Sequence, residues 1–328
     1  MSLITKPSEL KSNLVLKGLI YGQPGIGKTT LALSANNPVL IDFDKGLHRV
    51  APAYRKDSLQ VDSYEQVLQL LADPEIEQYN TIVIDTLGKL IDRIADYAAE
   101  LNPKIRQGDG QLSMKGWGNV KTQFLGLLKL LDAKNKSIIF VAHETEEKDD
   151  DRTKKRPDCS GSARKDIVKE LDFMGYMSMA GNKRVIDFSP TDAYYAKNSI
   201  GLEGSIEVNH IKGENDFLVK HIFEASKRRI KEQTDLAGKF ESIKALIDQR
   251  LSGLDSLEAV NDYYKNGYQK LEKIWSSFEY EQVKLAEKVK ELGFEFDKKT
   301  KAFIDPTSKE KEVDEFTKEF IKKVLLEA

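Results

Sequence analysis

One short motif constrains the fold of this chain more than any other feature of its sequence. Residues 22–29 read GQPGIGKT and match the pattern G-x-x-x-x-G-K-[ST] in full. The motif follows an apolar run, residues 15–21, and precedes a segment of helical character, residues 28–35. A strand, a glycine-rich turn and a helix in this order form a loop whose backbone N–H groups surround a phosphate. This context disfavours the alternative of a glycine-rich turn without a ligand.

The residue types in the motif predict individual roles at a nucleoside triphosphate. Lys28 would place a positive charge at the β and γ phosphates, and Thr29 would offer a hydroxyl to Mg²⁺, which prefers oxygen ligands. The predicted nucleotide contacts are Gly22, Gln23, Pro24, Gly25, Ile26, Gly27, Lys28, Thr29 and Thr30.

A carboxylate ends a later apolar run, TIVID, at Asp85. The end of a strand beside a phosphate-binding loop is where a metal-holding carboxylate is expected. We therefore expect Asp85 to hold the water shell of Mg²⁺ together with Thr29. The open alternative is that Asp85, or its neighbour Thr86, is the N-cap of the following helix.

Hydrolysis needs a group that orients or deprotonates the attacking water. Asp42 and Asp44 alternate with Phe43, so in a continuing strand they would point to opposite faces, and we expect Asp44 to face the site. A pair of solvated turn residues is an equal alternative. His143 ends the run SIIFVA and is either a γ-phosphate sensor or an ordinary strand-end residue. The predicted catalytic residues are Lys28, Asp44, Asp85 and His143.

Apolar runs alternate with helical patterns along the N-terminal part of the chain. Runs that are apolar throughout suit strands buried on both faces of a mostly parallel sheet, so the fold class is α/β with flanking helices. Helical patterns cover residues 64–71, 87–101 and 120–131, and candidate antiparallel strands cover residues 172–180, 184–189 and 193–197. The polar stretch between them, residues 147–166, predicts a long mobile loop.

The composition of the chain changes near residue 230. From there the sequence is rich in Lys and Glu, with apolar residues at helical spacing. We expect two parts, an α/β domain over residues 1–230 and a mainly α-helical C-terminal region of unknown role over residues 231–328. Core packing is the default role for Trp275, Phe278 and Tyr280.

Overall charge and cysteine content limit the function classes. With 51 Lys and Arg against 53 Asp and Glu, a nucleic-acid contact would require a local basic surface. A single cysteine, Cys159, excludes an internal disulfide bond. No run approaches the roughly 18 apolar residues of a membrane span, so we expect a cytoplasmic protein without a membrane partner.

The segments GQPGIGKTT, VLIDFDKG, TIVIDT and IIFVAHETEE make residues 15–200 similar to the RecA-like recombinase ATPases. Within that superfamily they resemble the compact phage ATP-binding proteins associated with single-strand annealing and recombination. The resemblance implies a RecA-like P-loop core that binds ATP with Mg²⁺, assembles as a homo-oligomer and acts in the bacterial host cytoplasm. The family has Glu where Asp44 stands and usually Gln where His143 stands. The shorter Asp reaches less far, so we expect slow hydrolysis.

The same resemblance implies contacts with single-stranded DNA from two loops and a contact between subunits. The DNA-contact candidates are Lys104, Arg106, Lys115, Trp117, Arg152, Lys154, Lys155, Arg156, Arg164 and Lys165. Acidic residues among them leave a solvated charged loop as the alternative. Lys197 matches a family lysine that reaches a neighbour's nucleotide, although Ser199 replaces a second expected lysine. The alternative for Lys197 is an exposed strand-end residue.

Two functions follow from these expectations. The first is an ATPase that assembles on single-stranded DNA in recombination or annealing. The second is a nucleotide-switched protein-binding factor or loader that acts through its C-terminal helices on an annealing protein or another replication or recombination protein. A small-metabolite kinase ranks below both, because no Arg-rich lid insert is visible in the sequence.

Overall fold

A computed structural model of the chain describes residues 14–149, 152–159, 163–202, 204–208, 215–267 and 275–307. The described residues up to Ile230 form one compact unit, and those from Lys231 onward form another. No helix in these ranges is long and apolar enough to cross a membrane.

A mixed β-sheet organises the first unit. Its described strands are β1 (Lys17–Gly22), β2 (Pro38–Asp42), β3 (Ser58–Gln60), β4 (Thr81–Asp85), β5 (Ser137–Asp149), β6 (Arg152–Pro157), β7 (Phe173–Ala180), β8 (Lys183–Asp187), β9 (Lys197–Asn198) and β10 (Ser205–Glu207). They lie in the order β3-β2-β4-β5-β1-β7-β8-β10, with β6 paired to β5 and β9 paired to β7. Neighbours from β3 to β7 are parallel, and the remaining pairs are antiparallel. The mostly parallel α/β sheet predicted from the sequence is confirmed.

Helices cover both faces of this sheet. They are α1 (Lys28–Ala32), α2 (Tyr64–Ala72), α3 (Leu87–Leu101), α4 (Met114–Ala133) and α5 (Ala163–Glu170), followed by α6 (Glu224–Ser252), which continues into the second unit. Alternate residues of β1 point to opposite faces, so Leu19 and Tyr21 pack with Leu90 of α3, while Ile20 packs with Leu31 of α1. Every residue of β2 and β4 is therefore buried.

Two segments differ in secondary structure from the sequence prediction. α4 begins at Met114 rather than at residue 120, because the Ser113 hydroxyl accepts a hydrogen bond from the Gly116 N–H at 3.1 Å and caps the helix. Lys115 and Trp117 thus lie on a helix. The candidate strand over residues 193–197 is also shorter than predicted, since only Lys197–Asn198 pairs with β7.

The prediction of a long mobile loop over residues 147–166 is wrong for the part of that range that the structure describes, residues 147–149, 152–159 and 163–166. β5 continues to Asp149 and forms a hairpin with β6, and α5 begins at Ala163. Opposite charges face each other across the two strands: the Lys155 Nζ lies 3.1 Å from the Glu144 carboxylate and 2.6 Å from that of Glu146. These cross-strand pairs stabilise a ribbon that has no apolar face.

The second unit is smaller and mostly helical. It comprises the rest of α6, α7 (Leu257–Asp262), α8 (Trp275–Glu291) and a short antiparallel pair, β11 (Glu295–Asp297) and β12 (Ala302–Ile304). Its core includes Ile247, Leu251, Val260, Leu285 and Val289. The pair β11–β12 was not expected from the helical spacing of this region.

Candidate nucleotide-binding site

The backbone of residues 22–29 forms a tight turn between β1 and α1. Gly27 has φ 102° as it enters α1, a left-handed conformation that favours glycine. A Cβ atom on Gly22 would lie 2.2 Å from the carbonyl oxygen of Met177 on β7, so only glycine fits between the two strands. Both glycines are therefore required by the geometry of this turn.

The side chain of Lys28 is held inside the turn. It is 5% exposed, and its ammonium donates to the carbonyl oxygens of Gly22 at 2.9 Å and Gln23 at 2.7 Å. Burial lowers the pKa of Lys28, while the nearby carboxylates of Asp85, Glu144 and Asp44 act in the opposite direction. An ammonium group has three N–H donors, so these two bonds leave one N–H for an anion.

Thr29 and Asp85 are joined directly. The Thr29 hydroxyl donates to Asp85 Oδ2 at 2.6 Å, and Asp85 is 7% exposed. Burial raises the pKa of Asp85, and the hydrogen bond from Thr29 opposes that rise. The N-cap of α3 is Thr86, so the Asp85 carboxylate faces the P-loop instead of the start of the helix. A hydroxyl beside a carboxylate supplies the hard oxygen ligands that Mg²⁺ prefers.

Strand register brings the predicted residues to one edge of the sheet. β5 lies between β1 and β4, and His143 on β5 pairs in register with Gly22. Asp42 pairs in register with Asp85 across β2 and β4. The carboxyl ends of β1, β2 and β4 therefore meet at the P-loop beside His143, where β5 leaves the parallel part of the sheet, as expected for a ligand crevice in an open parallel sheet.

Asp42 and Asp44 occupy different environments. The strand ends at Asp42, whose carboxylate is 1% exposed and accepts hydrogen bonds from the N–H groups of Gly46 at 3.1 Å and Leu47 at 3.0 Å. Asp44 lies beyond the strand, 2.8 Å from the Lys89 Nζ and 3.7 Å from the His143 Nε2. Asp44 faces the site because the chain turns after β2, and not because the strand alternation continues.

A cavity of about 170 Å³ lies beside the P-loop. Its walls are formed by Gly25, Gly27, Lys28, Thr29, Thr30, Asp44, Gly46, Arg49, Val50, Asp85, Val141 and His143. Four predicted contacts lie outside these walls: Gly22 and Ile26 are buried, and Gln23 and Pro24 are exposed. For Ile26 the physical reason is its apolar side chain, which packs on the sheet.

Arg49 lines this cavity but was not selected by the sequence reasoning. It lies in the connection after β2 that also carries Asp44. A cation placed shortly after a candidate catalytic carboxylate is the signal that could have found it.

Lys197 makes contacts within its own chain. Its ammonium donates to the carbonyl oxygens of Val168 at 3.0 Å and Lys169 at 2.9 Å, in the last turn of α5. A cation at this position is favoured by the helix dipole. The contact to a neighbouring subunit stays a prediction, and it would require Lys197 to leave these carbonyls.

The DNA-contact candidates differ in their surroundings. Arg106 binds the Asp96 carboxylate at 2.8 Å, Lys155 is paired as described, and Trp117 is half-buried against the main core. The exposed candidates include Lys104 and Lys115. Arg156 Nε lies 3.9 Å from the Glu147 carboxylate, and the side chains of Arg152, Arg164 and Lys165 lie outside the described residues.

One further candidate has an aromatic neighbour. The Lys154 ammonium lies 4.4 Å from the centre of the Tyr195 ring, which is 36% exposed. The sequence reasoning named Trp117 in the first loop as its aromatic candidate and did not select Tyr195. The Tyr195 N–H donates to the Lys155 carbonyl at 3.0 Å, which places Tyr195 beside the hairpin.

Comparison with known proteins agrees with this geometry. Residues 15–200 match the AAA domain family, a range that includes the P-loop, Asp85 and His143. The chain is also 24% identical over 202 residues, 57% of its length, to the SPbeta prophage-derived uncharacterized protein YorG of Bacillus subtilis (strain 168). It spans 62% of the length of that relative. The P-loop, the sheet that surrounds it and the extent of the family match together place this chain in the AAA domain family of P-loop ATPases.

Proposed function

We propose that this protein is a magnesium-dependent ATPase that binds ATP in the cavity beside residues 22–29. The observation that carries the proposal is the 2.6 Å hydrogen bond from Thr29 to Asp85, next to the buried Lys28. Local sequence brings Lys28 and Thr29 together, but only the folded sheet brings Asp85 to them. This arrangement has the parts of a phosphate and metal site.

The residues around the cavity fit the two cofactors. Thr29 and Asp85 would hold Mg²⁺, and Lys28 would bind the β and γ phosphate oxygens. The chemistry that Mg²⁺ supplies when bound is neutralisation of charge on the phosphate oxygens. Asp44 would orient or deprotonate the attacking water, and His143, 3.7 Å from the Asp44 carboxylate, would sense the terminal phosphate.

Metal dependence tests this assignment. We expect Thr29→Val and Asp85→Asn to raise the Mg²⁺ concentration needed for half-maximal ATP turnover by about tenfold or more, since each removes an oxygen ligand or its charge. Lys129→Ala, which removes an exposed cation from α4, is the control. A Mg²⁺ requirement unchanged in both site variants would contradict the metal site.

A second part of the proposal is action on single-stranded DNA as a homo-oligomer. The observation that favours it is the pairing of Lys154 with the accessible ring of Tyr195 at 4.4 Å. A cation tracks the phosphate backbone and an aromatic ring stacks on bases. We expect an oligonucleotide to stimulate ATP turnover and increase oligomer size, with both effects weakened by salt. Tyr195→Ala and Lys154→Ala should reduce stimulation. If neither ATP turnover nor oligomer size changes when the oligonucleotide is added at any salt concentration, action on single-stranded DNA is excluded.

The alternative is a nucleotide-switched factor that binds a replication or recombination protein. It is favoured by exposed apolar side chains on the second unit: Leu236 43%, Leu246 45%, Phe278 40% and Val283 56% exposed. Under this alternative, Leu246→Glu with Val283→Glu would abolish capture of a purified annealing protein and leave ATP binding intact. Capture retained by the double variant would argue against it.

A further inference from the structure

We infer that Arg49 recognises the terminal phosphate of the nucleotide and thereby makes the site prefer ATP to ADP. The inference rests on the proposed nucleotide site and adds a specificity residue to it. It is carried by the position of Arg49, by the way its backbone is held, and by the lack of a partner for its guanidinium among the described residues.

The backbone that carries Arg49 is fixed by the buried carboxylate of Asp42. Asp42 accepts hydrogen bonds from the N–H groups of Gly46 and Leu47, and the Arg49 N–H donates to the Gly46 carbonyl at 2.9 Å. The next residue, Val50, is 5% exposed and packs in the apolar core beneath the P-loop. The backbone is therefore fixed on both sides of Arg49, and the Arg49 Cα is held at the cavity wall.

Two arginines of this connection differ in what they bind. Arg55 donates from Nε to the Val50 carbonyl and from Nη2 to the His48 carbonyl, each at 2.9 Å. No hydrogen bond or ion pair joins the Arg49 guanidinium to any other part of the chain that the structure describes. Arg55 thus stabilises the connection, whereas no described residue occupies the side-chain donors of Arg49 at the cavity.

The charges in the cavity favour the binding of phosphate by the Arg49 guanidinium. Asp44 and Asp85 place two carboxylates in the wall, and Lys28 is already bound to loop carbonyls. A triphosphate adds further negative charge, which Mg²⁺, the remaining Lys28 N–H and an additional cation would balance together. Guanidinium stays charged at all working pH values and binds phosphate oxygens through two parallel N–H donors.

The terminal phosphate is the part of the nucleotide that Arg49 would meet. Arg49 and Asp44 lie on the same connection after β2 and line the same cavity. Asp44 is the residue proposed to act on the water that attacks the γ phosphate. A cation on the same connection is therefore at the γ end of the site rather than at the base or ribose.

The affinities of Arg49 variants for ATP and ADP test the inference. We expect Arg49→Ala and Arg49→Gln to weaken MgATP binding by about 10- to 100-fold and MgADP binding by less than about threefold. Arg49→Lys keeps the charge but not the two-donor geometry, so its ATP affinity should lie between those of Arg49→Gln and the wild type. Lys56→Ala, which removes an exposed cation from the same connection outside the cavity, is the matched control.

The inference would be overturned if the Arg49→Ala and Arg49→Gln variants lost affinity for ATP and ADP equally, or lost affinity for neither. Melting curves of Arg49→Gln without nucleotide check that the fold is intact, and we expect the melting temperature of the wild type. Lys28→Ala separates this inference from the proposed function. If Lys28→Ala binds ATP as tightly as the wild type, the proposed nucleotide site is wrong. If Lys28→Ala loses ATP binding while Arg49→Gln binds ATP as the wild type does, only the role of Arg49 is rejected.

Discussion

Asp42 and Asp44 are close in the sequence but have different surroundings in the fold. The Asp42 carboxylate is buried and binds two backbone N–H groups of the following turn. Asp44 lines the cavity near Lys89 and His143. The same chemical change at the two positions should therefore have different consequences, one for stability and one for turnover.

We predict that Asp44→Asn lowers the ATPase kcat by about 10²- to 10⁴-fold, the usual contribution of a positioned general base. ATP affinity should change by less than about threefold, because the cations that bind phosphate remain. Asp42→Asn should instead lower the free energy of unfolding by about 1–3 kcal/mol, since it weakens two charge-assisted hydrogen bonds. Steady-state kinetics and denaturant melts measure the two effects. Turnover of Asp44→Asn at the wild-type rate would remove Asp44 from the catalytic residues.

A pH dependence of stability follows from the burial of Asp85. Because burial raises its pKa in the folded state, the folded protein binds this proton more tightly than the unfolded chain does. The resulting stability is present below the ordinary Asp pKa, about 4, and is lost as the pH rises through the folded pKa. Without nucleotide, Asp85→Asn should thus melt higher than the wild type at pH 7, and the difference should shrink toward pH 4. A lower melting temperature for Asp85→Asn at pH 7 would contradict this account.

Among the elements, the β5–β6 hairpin has little apolar support and is held by charge pairs. Lys155 faces both Glu146 and Glu144, and the hydrogen bonds that its ammonium donates to these carboxylates raise its pKa. The end of the hairpin next to the sheet is fixed because the Tyr176 hydroxyl donates a hydrogen bond to the Glu144 carboxylate at 3.0 Å. The ribbon is therefore anchored at one end and held along its length by ion pairs.

We predict that Lys155→Glu opens this hairpin, because like charges would face each other across the strands. The amides of residues 144–149 and 152–157 should exchange with solvent about tenfold faster or more, while those of β4 keep their protection. Adding Glu146→Lys restores an opposite pair and should recover part of the protection. Unchanged exchange in Lys155→Glu would exclude the ion pairs as the source of the hairpin's order.

Local signals account for what the sequence could predict at this scale. The P-loop and α3, which begins at Leu87 and ends at Leu101 as predicted, are set by residues adjacent in the chain. The hairpin was missed because a ribbon solvated on both sides shows no apolar alternation, and its ion pairs become visible only once the register is known. Arg49 was missed because its place at the cavity depends on the turn that Asp42 fixes.

At the scale of the whole molecule, the proposed homo-oligomer would bring copies of the chain together around the nucleotide. The family match covers residues 15–200, the range that contains the proposed nucleotide site, and the second unit lies beyond that range. Lys197 is the residue proposed to link one copy to the next, and within its own chain it binds the end of α5. Its substitution separates the two roles.

We predict that Lys197→Ala lowers the free energy of unfolding by about 0.5–1 kcal/mol, since it removes a cation from a helix C-terminus. ATP turnover per site should stay within about threefold of the wild type if the contact is internal. Denaturant melts and ATPase assays at several protein concentrations measure both. A large loss of turnover with unchanged stability would instead favour the contact to a neighbouring subunit.

The central claim is that the P-loop, through Lys28, binds a nucleoside triphosphate. Isothermal titration calorimetry of the wild type and Lys28→Ala with MgATP tests it most directly. The account predicts a saturable heat of binding for the wild type and an affinity at least about 100-fold weaker for Lys28→Ala, because the buried ammonium is lost. A wild-type protein that gives no heat of binding, or a variant that binds as tightly as the wild type, would contradict it.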